Sequence, residues 1–155
     1  MPVTLRDEIR QLRPFASLEQ EAYLNIVRTA NALDNGLERL FRPAGVTLRQ
    51  YNVLRILRGA EPDGLCRGEL GERMISRMPD VTRLLDRMQR LTLVRRVRAT
   101  ADRRQVRTHI TAQGRRVLAS HDDAVLSEHA HRVGHLTQRE LRTLVELLTK
   151  VRQAS

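Results

Sequence analysis

Residues 81–111 read "VTRLLDRMQRLTLVRRVRATADRRQVRTHIT" and hold the pattern that decides the fold. In the first third of this stretch the apolar residues recur every three or four positions, at Val81, Leu84, Leu85 and Met88. This spacing puts them on one side of a helix and predicts an amphipathic helix over about residues 79–91. Pro79 suits the first helical turn, because a backbone N–H has no intrahelical partner there in any case.

The rest of the stretch predicts a β-hairpin. Strands are expected near residues 94–98 and 105–110, on either side of the turn formed by Asp102, Arg103 and Arg104. Alternate residues of the second strand are expected to face the domain, namely Val106, Thr108 and Ile110. Thr111 then stands where a helix N-cap is needed. The sequence therefore predicts a helix and an arginine-rich hairpin in direct succession.

Helix-start signals recur along the rest of the chain. Capping-box spacing occurs in "SLEQ" (17–20), "TLRQ" (47–50) and "TQRE" (137–140), whereas "CRGE" (66–69) has cysteine in the capping position. Together with apolar periodicity these signals predict six helices: about 18–42, Thr47 to near Gly59, a short one after Cys66, 79–91, Thr111 to about His131, and one opening at 137–140. Four helices, a hairpin and two helices describe a mainly α fold with a small β-hairpin wing, a winged helix-turn-helix.

Charge is concentrated in one third of the chain. The net charge is +10, and residues 67–116 hold 14 arginines, no lysine and 5 acidic residues, a net charge of +9. Arginine forms bidentate bonds to phosphates and base edges, so this distribution favours a nucleic-acid partner. A basic membrane-binding helix would instead need bulky apolar residues on one exposed face. No apolar run is long enough to span a bilayer and the charged N-terminus has no signal-peptide pattern, so we expect a cytoplasmic protein without membrane contact.

The helix at 79–91 is the predicted recognition element. If its apolar stripe faces the core, Arg83 and Thr82 face outward near its N-terminal end and are the leading candidates for reading bases. The full set of expected DNA contacts is Arg77, Met78, Pro79, Asp80, Thr82, Arg83, Arg87, Arg90, Arg103 and Arg104. Within it, Arg77, Arg87 and Arg90 are placed for phosphates. Asp80 is expected to stabilise the helix N-terminus, and reading of a cytosine amino group is the alternative. Asp86 is expected to pair with an arginine and orient the hairpin.

The chain resembles the MarR family of winged helix-turn-helix transcription regulators. "VTRLLDRMQRLTLVRR" (81–96) is similar to the family's recognition helix and following strand, and "DRRQVRTHITAQG" (102–114) to its wing and the start of the next helix. The helix order matches over residues 17–153. The turn "RMPD" (77–80) departs from the small and hydroxyl residues common in the family, so a base preference cannot be transferred.

The resemblance implies an intertwined homodimer on a palindromic operator. It divides the chain into an N-terminal arm (1–16), dimerisation helices (17–45 and 111–155) and a DNA-binding lobe (46–110). Arg103 and Arg104 would enter the minor groove, and a salt bridge from Asp102 would shape the wing. Family members are usually repressors released by a small effector, often an aromatic acid. Tyr23, Phe41 and Tyr51 are the candidates for such a ligand site, and core packing is the alternative for each.

Other interpretations stay open at this point. Cys66 at a helix N-terminus is a candidate redox sensor. Glu128, His131 and His135 share a helix face and suit a metal ion, although Gly134 interrupts the helix and no fourth ligand is evident, so no metal or other cofactor is expected. A non-sequence-specific nucleic-acid-binding module is a further alternative. An enzyme is not expected, because the chain lacks a phosphate loop, a nucleophile elbow and a standard zinc framework.

Overall fold

The hairpin is present, and it belongs to a three-stranded sheet. The computed structural model describes residues 3–76, 80–98 and 105–153. Within them the strands are β1 (Leu65–Cys66), β2 (Val94–Arg98) and β3 (Val106–Ile110), in the order β1-β3-β2 with both pairs antiparallel. Val94 lies opposite Ile110 at one end of the hairpin, and Arg98 lies opposite Val106 at the other. The sequence did not predict β1, because two residues are too short to show an alternation.

Helices make up most of the described residues. Their bounds are α1 (Leu5–Glu8), α2 (Leu18–Phe41), α3 (Leu48–Arg58), α4 (Arg67–Arg73), α5 (Val81–Arg90), α6 (Ala112–Ala119), α7 (Asp122–Val133) and α8 (Gln138–Gln153). A 3-10 turn over Arg42–Ala44 ends α2, and Gly45 follows with φ 67°, a left-handed conformation that glycine adopts without strain. The mainly helical fold with a small antiparallel sheet is that of a winged helix-turn-helix protein, as predicted.

Several helix starts have the predicted caps. The Ser17 hydroxyl accepts a hydrogen bond from Gln20 N at 3.2 Å, and Thr47 and Gln50 form a reciprocal capping box. Thr111 is the N-cap of α6, where its hydroxyl accepts from Gly114 N at 3.0 Å. These bonds satisfy N–H groups that the first turn of a helix leaves without backbone partners.

Helix α3 forms the centre of the hydrophobic core. Seven of its eleven residues are buried, and it packs against α2, α4, α6 and β3. Buried residues of α2, α4, α5, β2, β3 and α6 complete the core around it, among them Phe41, Leu70, Leu85, Met88, Val94, Ile110 and Leu118. The core therefore lies under the sheet and behind α5, and it leaves the outer face of α5 exposed to solvent.

The structure differs from the sequence prediction in four details. The helix expected from Thr111 to about His131 is divided into α6 and α7. The arm (1–16) contains the one-turn helix α1, and α5 begins at Val81 instead of residue 79. The described residues thus form eight helices instead of six. Finally, Val106 is 42% exposed, although Thr108 and Ile110 are buried as expected.

The break between α6 and α7 has a local cause. Ser120 Oγ donates to Val117 O at 2.9 Å, and His121 Nδ1 lies 2.8 Å from the same carbonyl. These side-chain bonds replace the backbone bond that would continue the helix. Asp122 and Asp123 follow in the first turn of α7, where negative charge stabilises a helix N-terminus.

Gly114 lies where α6 packs closely against the sheet and α3. A Cβ atom at this position would lie 2.4 Å from Leu93 O and 2.8 Å from Ile110 Cγ1. We expect Gly114→Ala to lower the free energy of unfolding by about 1–3 kcal/mol in urea denaturation, because α6 has to move away from the sheet. The matched control is Gly68→Ala in α4, where a Cβ would meet nothing within 4 Å. Equal stability of the two variants would contradict the close approach of α6.

Candidate nucleic-acid interface and adjoining cavity

Helix α5 has one buried and one exposed face. Leu85 and Met88 are 2% and 0% exposed, with Val81 and Leu84 partly buried beside them. The exposed residues on the opposite side are Thr82, Arg83, Arg87, Gln89 and Arg90. The fold therefore presents three arginines, a threonine and a glutamine from one helix of 10 residues, and four of these five residues are predicted DNA contacts.

Asp80 and Arg83 contact each other twice at the start of α5, through a capping bond and through an ion pair. Asp80 is the N-cap, and its Oδ1 accepts from Arg83 N at 3.0 Å. Its other oxygen, Oδ2, lies 3.0 Å from Nε of the same arginine, whose side chain is 90% exposed. One carboxylate therefore caps the helix and contacts the guanidinium that projects from it.

The neighbouring Thr82 is contacted from α4. Arg67 Nη1 donates to Thr82 Oγ1 at 3.3 Å. Because this bond uses an oxygen lone pair, the hydroxyl hydrogen of Thr82 remains to donate to an acceptor outside the protein. The sequence pattern did not indicate a role for Arg67, and the only signal for one was its place as the first residue of a short helix.

Asp86 and Arg96 connect α5 to the hairpin. Arg96 Nη2 donates to Asp86 Oδ1 at 2.5 Å, and Arg96 Nε donates to Gln89 Oε1 at 2.6 Å. Both charged side chains are about a third exposed, so solvent screens the pair only partly. These bonds set the position of β2 relative to the exposed face of α5.

The remaining arginines of the hairpin differ in surroundings. Arg95 and Arg98 are exposed on β2. Arg107 on β3 instead donates to the carbonyl oxygens of Asp63 and Gly64, both at 2.9 Å, and therefore holds the loop before β1. The other predicted contact and wing residues lie outside the described residues: Arg77, Met78, Pro79, Asp102, Arg103 and Arg104.

A cavity of about 620 Å³ lies between α3, residues 74–76 and the outer helices α2 and α7. Its walls combine apolar, acidic and basic side chains, including Leu37, Tyr51, Asn52, Arg55, Arg58, Ile75, Asp122 and Val125. Of the three predicted ligand-site residues, only Tyr51 lines it. Phe41 is fully buried and stacks on the Tyr51 ring with centroids 4.4 Å apart. Tyr23 is 67% exposed on α2 and does not line the cavity.

Arg58 and Asp122 form an ion pair at the edge of this cavity. Arg58 ends α3 and Asp122 begins α7, and the two bonds between them measure 2.7 and 3.0 Å. The hydrogen bond from Arg58 holds the pKa of the Asp122 carboxyl below its usual value. Burial raises the pKa of the neighbouring Tyr51 phenol, and the negative charge of Asp122 adds to that shift. The pair therefore links α3 to α7 by charge.

Cys66, the candidate redox residue, and the candidate metal-binding residues on and after α7 lie in different surroundings. Cys66 is the half-buried N-cap of α4, and its backbone N donates to Glu69 Oε2 at 2.7 Å. Glu128 accepts from Arg132 Nε at 2.7 Å, whereas His131 and His135 are exposed. Within residues 3–76, 80–98 and 105–153, no cluster of three or more His, Cys, Asp or Glu side chains is arranged to hold a metal ion. No helix in those ranges is long and apolar enough to cross a membrane.

Two short helices, α4 and α5, followed directly by an antiparallel hairpin are the arrangement of a winged helix-turn-helix protein. No protein-family model matches the chain. The chain is 30% identical to the HTH-type transcriptional regulator TtmR of Methylorubrum extorquens over 139 residues, which cover 88% of this chain and 68% of TtmR. A shorter match, 45% identical over 51 residues, covers 33% of this chain and 35% of the uncharacterised HTH-type regulator YsmB of Bacillus subtilis.

Two solved structures complete the comparison. A MarR transcription factor from Planctomyces limnophilus is 35% identical over 88% of this chain and 98% of its own, with a TM-score of 0.66. A mutant MarR from E. coli, complexed with operator DNA, is 26% identical over 95% of this chain and 97% of its own, with a TM-score of 0.75. The chain belongs to the MarR family of transcription regulators, which confirms the family predicted from residues 81–96 and 102–114.

The Arg58–Asp122 pair should make the free energy of unfolding depend on pH. The carboxylate pKa is lowered by folding, so the stabilisation by its charge is present above about pH 4 and is lost as the pH falls through the folded pKa. We expect Asp122→Asn to unfold more easily than wild type at pH 7, by less than about 1 kcal/mol because the pair is over a third exposed. The two urea unfolding curves should converge toward pH 3.

The matched control for this variant is Asp123→Asn. It removes the same charge from the first turn of α7 at an exposed position. We expect this control to have the smaller effect at pH 7, since Arg58 bonds to Asp122. A stability difference between wild type and Asp122→Asn that is the same at pH 3 and pH 7 would exclude the ion pair as its cause.

Proposed function

We propose that this chain is a repressor that binds a two-fold-symmetric DNA operator as a homodimer and is released by a small acidic effector. The observation that supports it most directly is the exposed arginine face of α5 and its bonds to β2 through Asp86 and Arg96. The relatives are transcription regulators, and the E. coli neighbour is complexed with operator DNA. Relatives that regulate transcription also argue against an enzyme.

The DNA contacts are proposed by position on α5. Thr82 and Arg83 lie near the N-terminal end of the helix, the end that a recognition helix directs to base edges in the major groove. Arg87 and Arg90 lie one and two turns further on and suit phosphates. Arg95 and Arg98 extend this positive surface along β2. Arg103 and Arg104 remain predicted minor-groove contacts of the wing.

Exposed apolar residues on the outer helices support a homodimer. Helix α8 has no buried residue, although it carries Leu144, Val145, Leu147 and Val151, which are 39–64% exposed. Helix α2 also exposes apolar side chains, namely Leu18, Tyr23, Ile26 and Val27. Apolar surface of this extent is usually covered by a partner, and a second copy related by two-fold symmetry would cover both subunits equally. We therefore assign 17–45 and 111–155 to dimerisation and 46–110 to DNA binding.

The cavity between the lobe and the outer helices is the proposed effector site. Arg55 projects a guanidinium at its wall, and the aromatic ring of Tyr51 with the side chains of Leu37 and Val125 supplies apolar surface, so an aromatic acid fits the lining. Met74, Ile75 and Ser76 also line the cavity and directly precede the segment that leads into α5. An occupant would thus contact the chain just before the recognition helix. No observation favours Cys66 or the Glu128, His131 and His135 group as the sensor.

DNA binding is tested first with the wild-type protein. From a pool of genomic fragments we expect a short site with two-fold symmetry, occupied by two chains per duplex, and an affinity that falls steeply with salt. Arg87→Ala should lower the slope of log affinity against log salt by about 0.9 for each phosphate that is no longer neutralised, or about 1.8 for a dimer. The slope is measured by fluorescence anisotropy on the selected duplex.

Arg13→Ala is the matched control for the salt measurement. It removes the same charge from an exposed position outside the lobe and should leave the slope unchanged. Binding of one chain per duplex, or equal affinity for all duplexes, would overturn the homodimeric operator model. Preferential binding of single-stranded RNA would favour the non-sequence-specific module instead.

The effector site is tested with benzoate as the probe. We expect benzoate to bind the protein in calorimetry and to weaken its affinity for the operator. Arg55→Ala should weaken benzoate binding about tenfold to a hundredfold, the effect of one hydrogen bond to a charged group. Arg42→Ala, at an exposed position outside the cavity lining, is the control and should bind benzoate like wild type. Equal binding by both variants would place any benzoate site elsewhere.

A further inference from the structure

We propose that Asp80 is a positioning residue that holds Arg83 to read a guanine in each half of the operator. This inference rests on the proposed DNA-binding function and adds to it the identity of one base and the residue that selects it. The carboxylate of Asp80, at the N-cap of α5, contacts both the backbone and the side chain of Arg83.

The geometry restricts the arginine at two points. Asp80 Oδ1 is 3.0 Å from Arg83 N, which fixes the carboxylate relative to the first helical turn. Asp80 Oδ2 is 3.0 Å from Arg83 Nε, which places the inner edge of the guanidinium beside that carboxylate. An unrestrained arginine would give up more rotamer freedom on binding, at about 0.5–1.5 kcal/mol for a long side chain. The ion pair removes part of that cost before DNA binds.

The same geometry decides which atoms of Arg83 face outward. The carboxylate forms an ion pair at the Nε side of the guanidinium, and within the described residues the Nη1 and Nη2 groups have no hydrogen-bond acceptor. Two parallel N–H donors at the tip of a 90% exposed side chain match a base edge with two neighbouring acceptors. In the major groove guanine offers that edge through O6 and N7, whereas adenine offers one acceptor and one donor.

Stability does not account for this ion pair. An exposed pair three residues apart on a helix contributes little to folding, and the capping bond alone would be supplied by asparagine. The carboxylate would also repel phosphates if Arg83 did not neutralise it. Because Asp80 Oδ1 accepts a bond from Arg83 N and Oδ2 forms an ion pair with Arg83 Nε, the geometry of the carboxylate favours orienting that side chain over reading a cytosine amino group itself.

The test compares the base preferences of three variants with those of wild type. Each protein is used to select sites from a randomised duplex pool, and affinities are then measured for duplexes that differ at one symmetric pair of positions. Arg83→Ala should lower the preference for guanine at that position by about tenfold to a hundredfold. Asp80→Asn, which keeps the cap, should lower the same preference by about threefold to tenfold without changing the melting temperature.

The charge control is Glu72→Gln. It removes one exposed acid from α4 in the same lobe, so it should change the affinity for all duplexes by one common factor and leave the guanine preference intact. If Asp80→Asn keeps the full wild-type guanine preference, the positioning role is wrong. If Arg83→Ala lowers the salt slope and no base preference, Arg83 contacts phosphate and the inference also fails.

Failure of the inference differs from failure of the proposed function. A wild-type protein that selects no two-fold site overturns the operator-binding function itself. A wild-type protein that selects a two-fold site without guanine at any position sensitive to Arg83→Ala overturns only the inference. A reduced guanine preference in Asp80→Asn, with an unchanged melting temperature and an unchanged preference in Glu72→Gln, supports it.

Discussion

The burial of helix α3 is the constraint on which the rest of the structure depends. Its buried residues include two polar side chains, Gln50 and Asn52, and both are satisfied: Gln50 by the capping box with Thr47, and Asn52 by Arg55 and Met74. Because one helix contacts α2, α4, α6 and β3, the sheet and the outer helices are positioned relative to a single element. The Tyr51 ring and Arg58 are then directed toward the cavity from that same helix.

Arginine has two distinct roles in this chain. Arg58, Arg96 and Arg107 form bonds inside the protein. Arg58 joins α3 to α7, Arg96 joins β2 to α5, and Arg107 joins β3 to the loop before β1. Arg87, Arg90 and Arg95 are exposed on the side of α5 and β2. The count of 28 basic residues therefore overstates the number of positive charges free to meet DNA, because acidic residues of the protein neutralise some of them, as the net charge of +10 already includes. The internal arginines in turn orient the exposed ones, most directly through the bond between Arg96 and Asp86.

The cavity and the proposed DNA surface share structural elements. Helix α3 lines the cavity and packs against α4, and the segment from Met74 to Ser76 lines the cavity and leads toward α5. An occupant of the cavity would contact this segment and the Arg58–Asp122 pair at the same time. A ligand can shift the orientation of the lobe only by binding one orientation more tightly than another. Because the cavity is lined by α3 as well as by α2 and α7, a change in the relative orientation of these helices would change the contacts and therefore the affinity of an occupant.

Local patterns predicted most of the elements, because periodicity and capping act over three or four residues. Helices α2, α3 and α8, the two strands of the hairpin, and the outward face of α5 all followed from that spacing. The two-residue strand β1 and the break at Ser120 and His121 were missed. The first exists only through its pairing with β3, and the second through side-chain bonds and contact of His121 with Phe41.

The candidate site divides in the same way between sequence and tertiary structure. By itself the sequence determined the family, the helix that presents Arg83, Arg87 and Arg90, and the concentration of charge around it. Only the tertiary structure decided that Asp80 contacts Arg83, that Arg96 joins α5 to β2, and that Tyr51 lines a cavity whereas Tyr23 does not. Spacing along a helix fixes the direction of a side chain, but its partner depends on how distant segments pack.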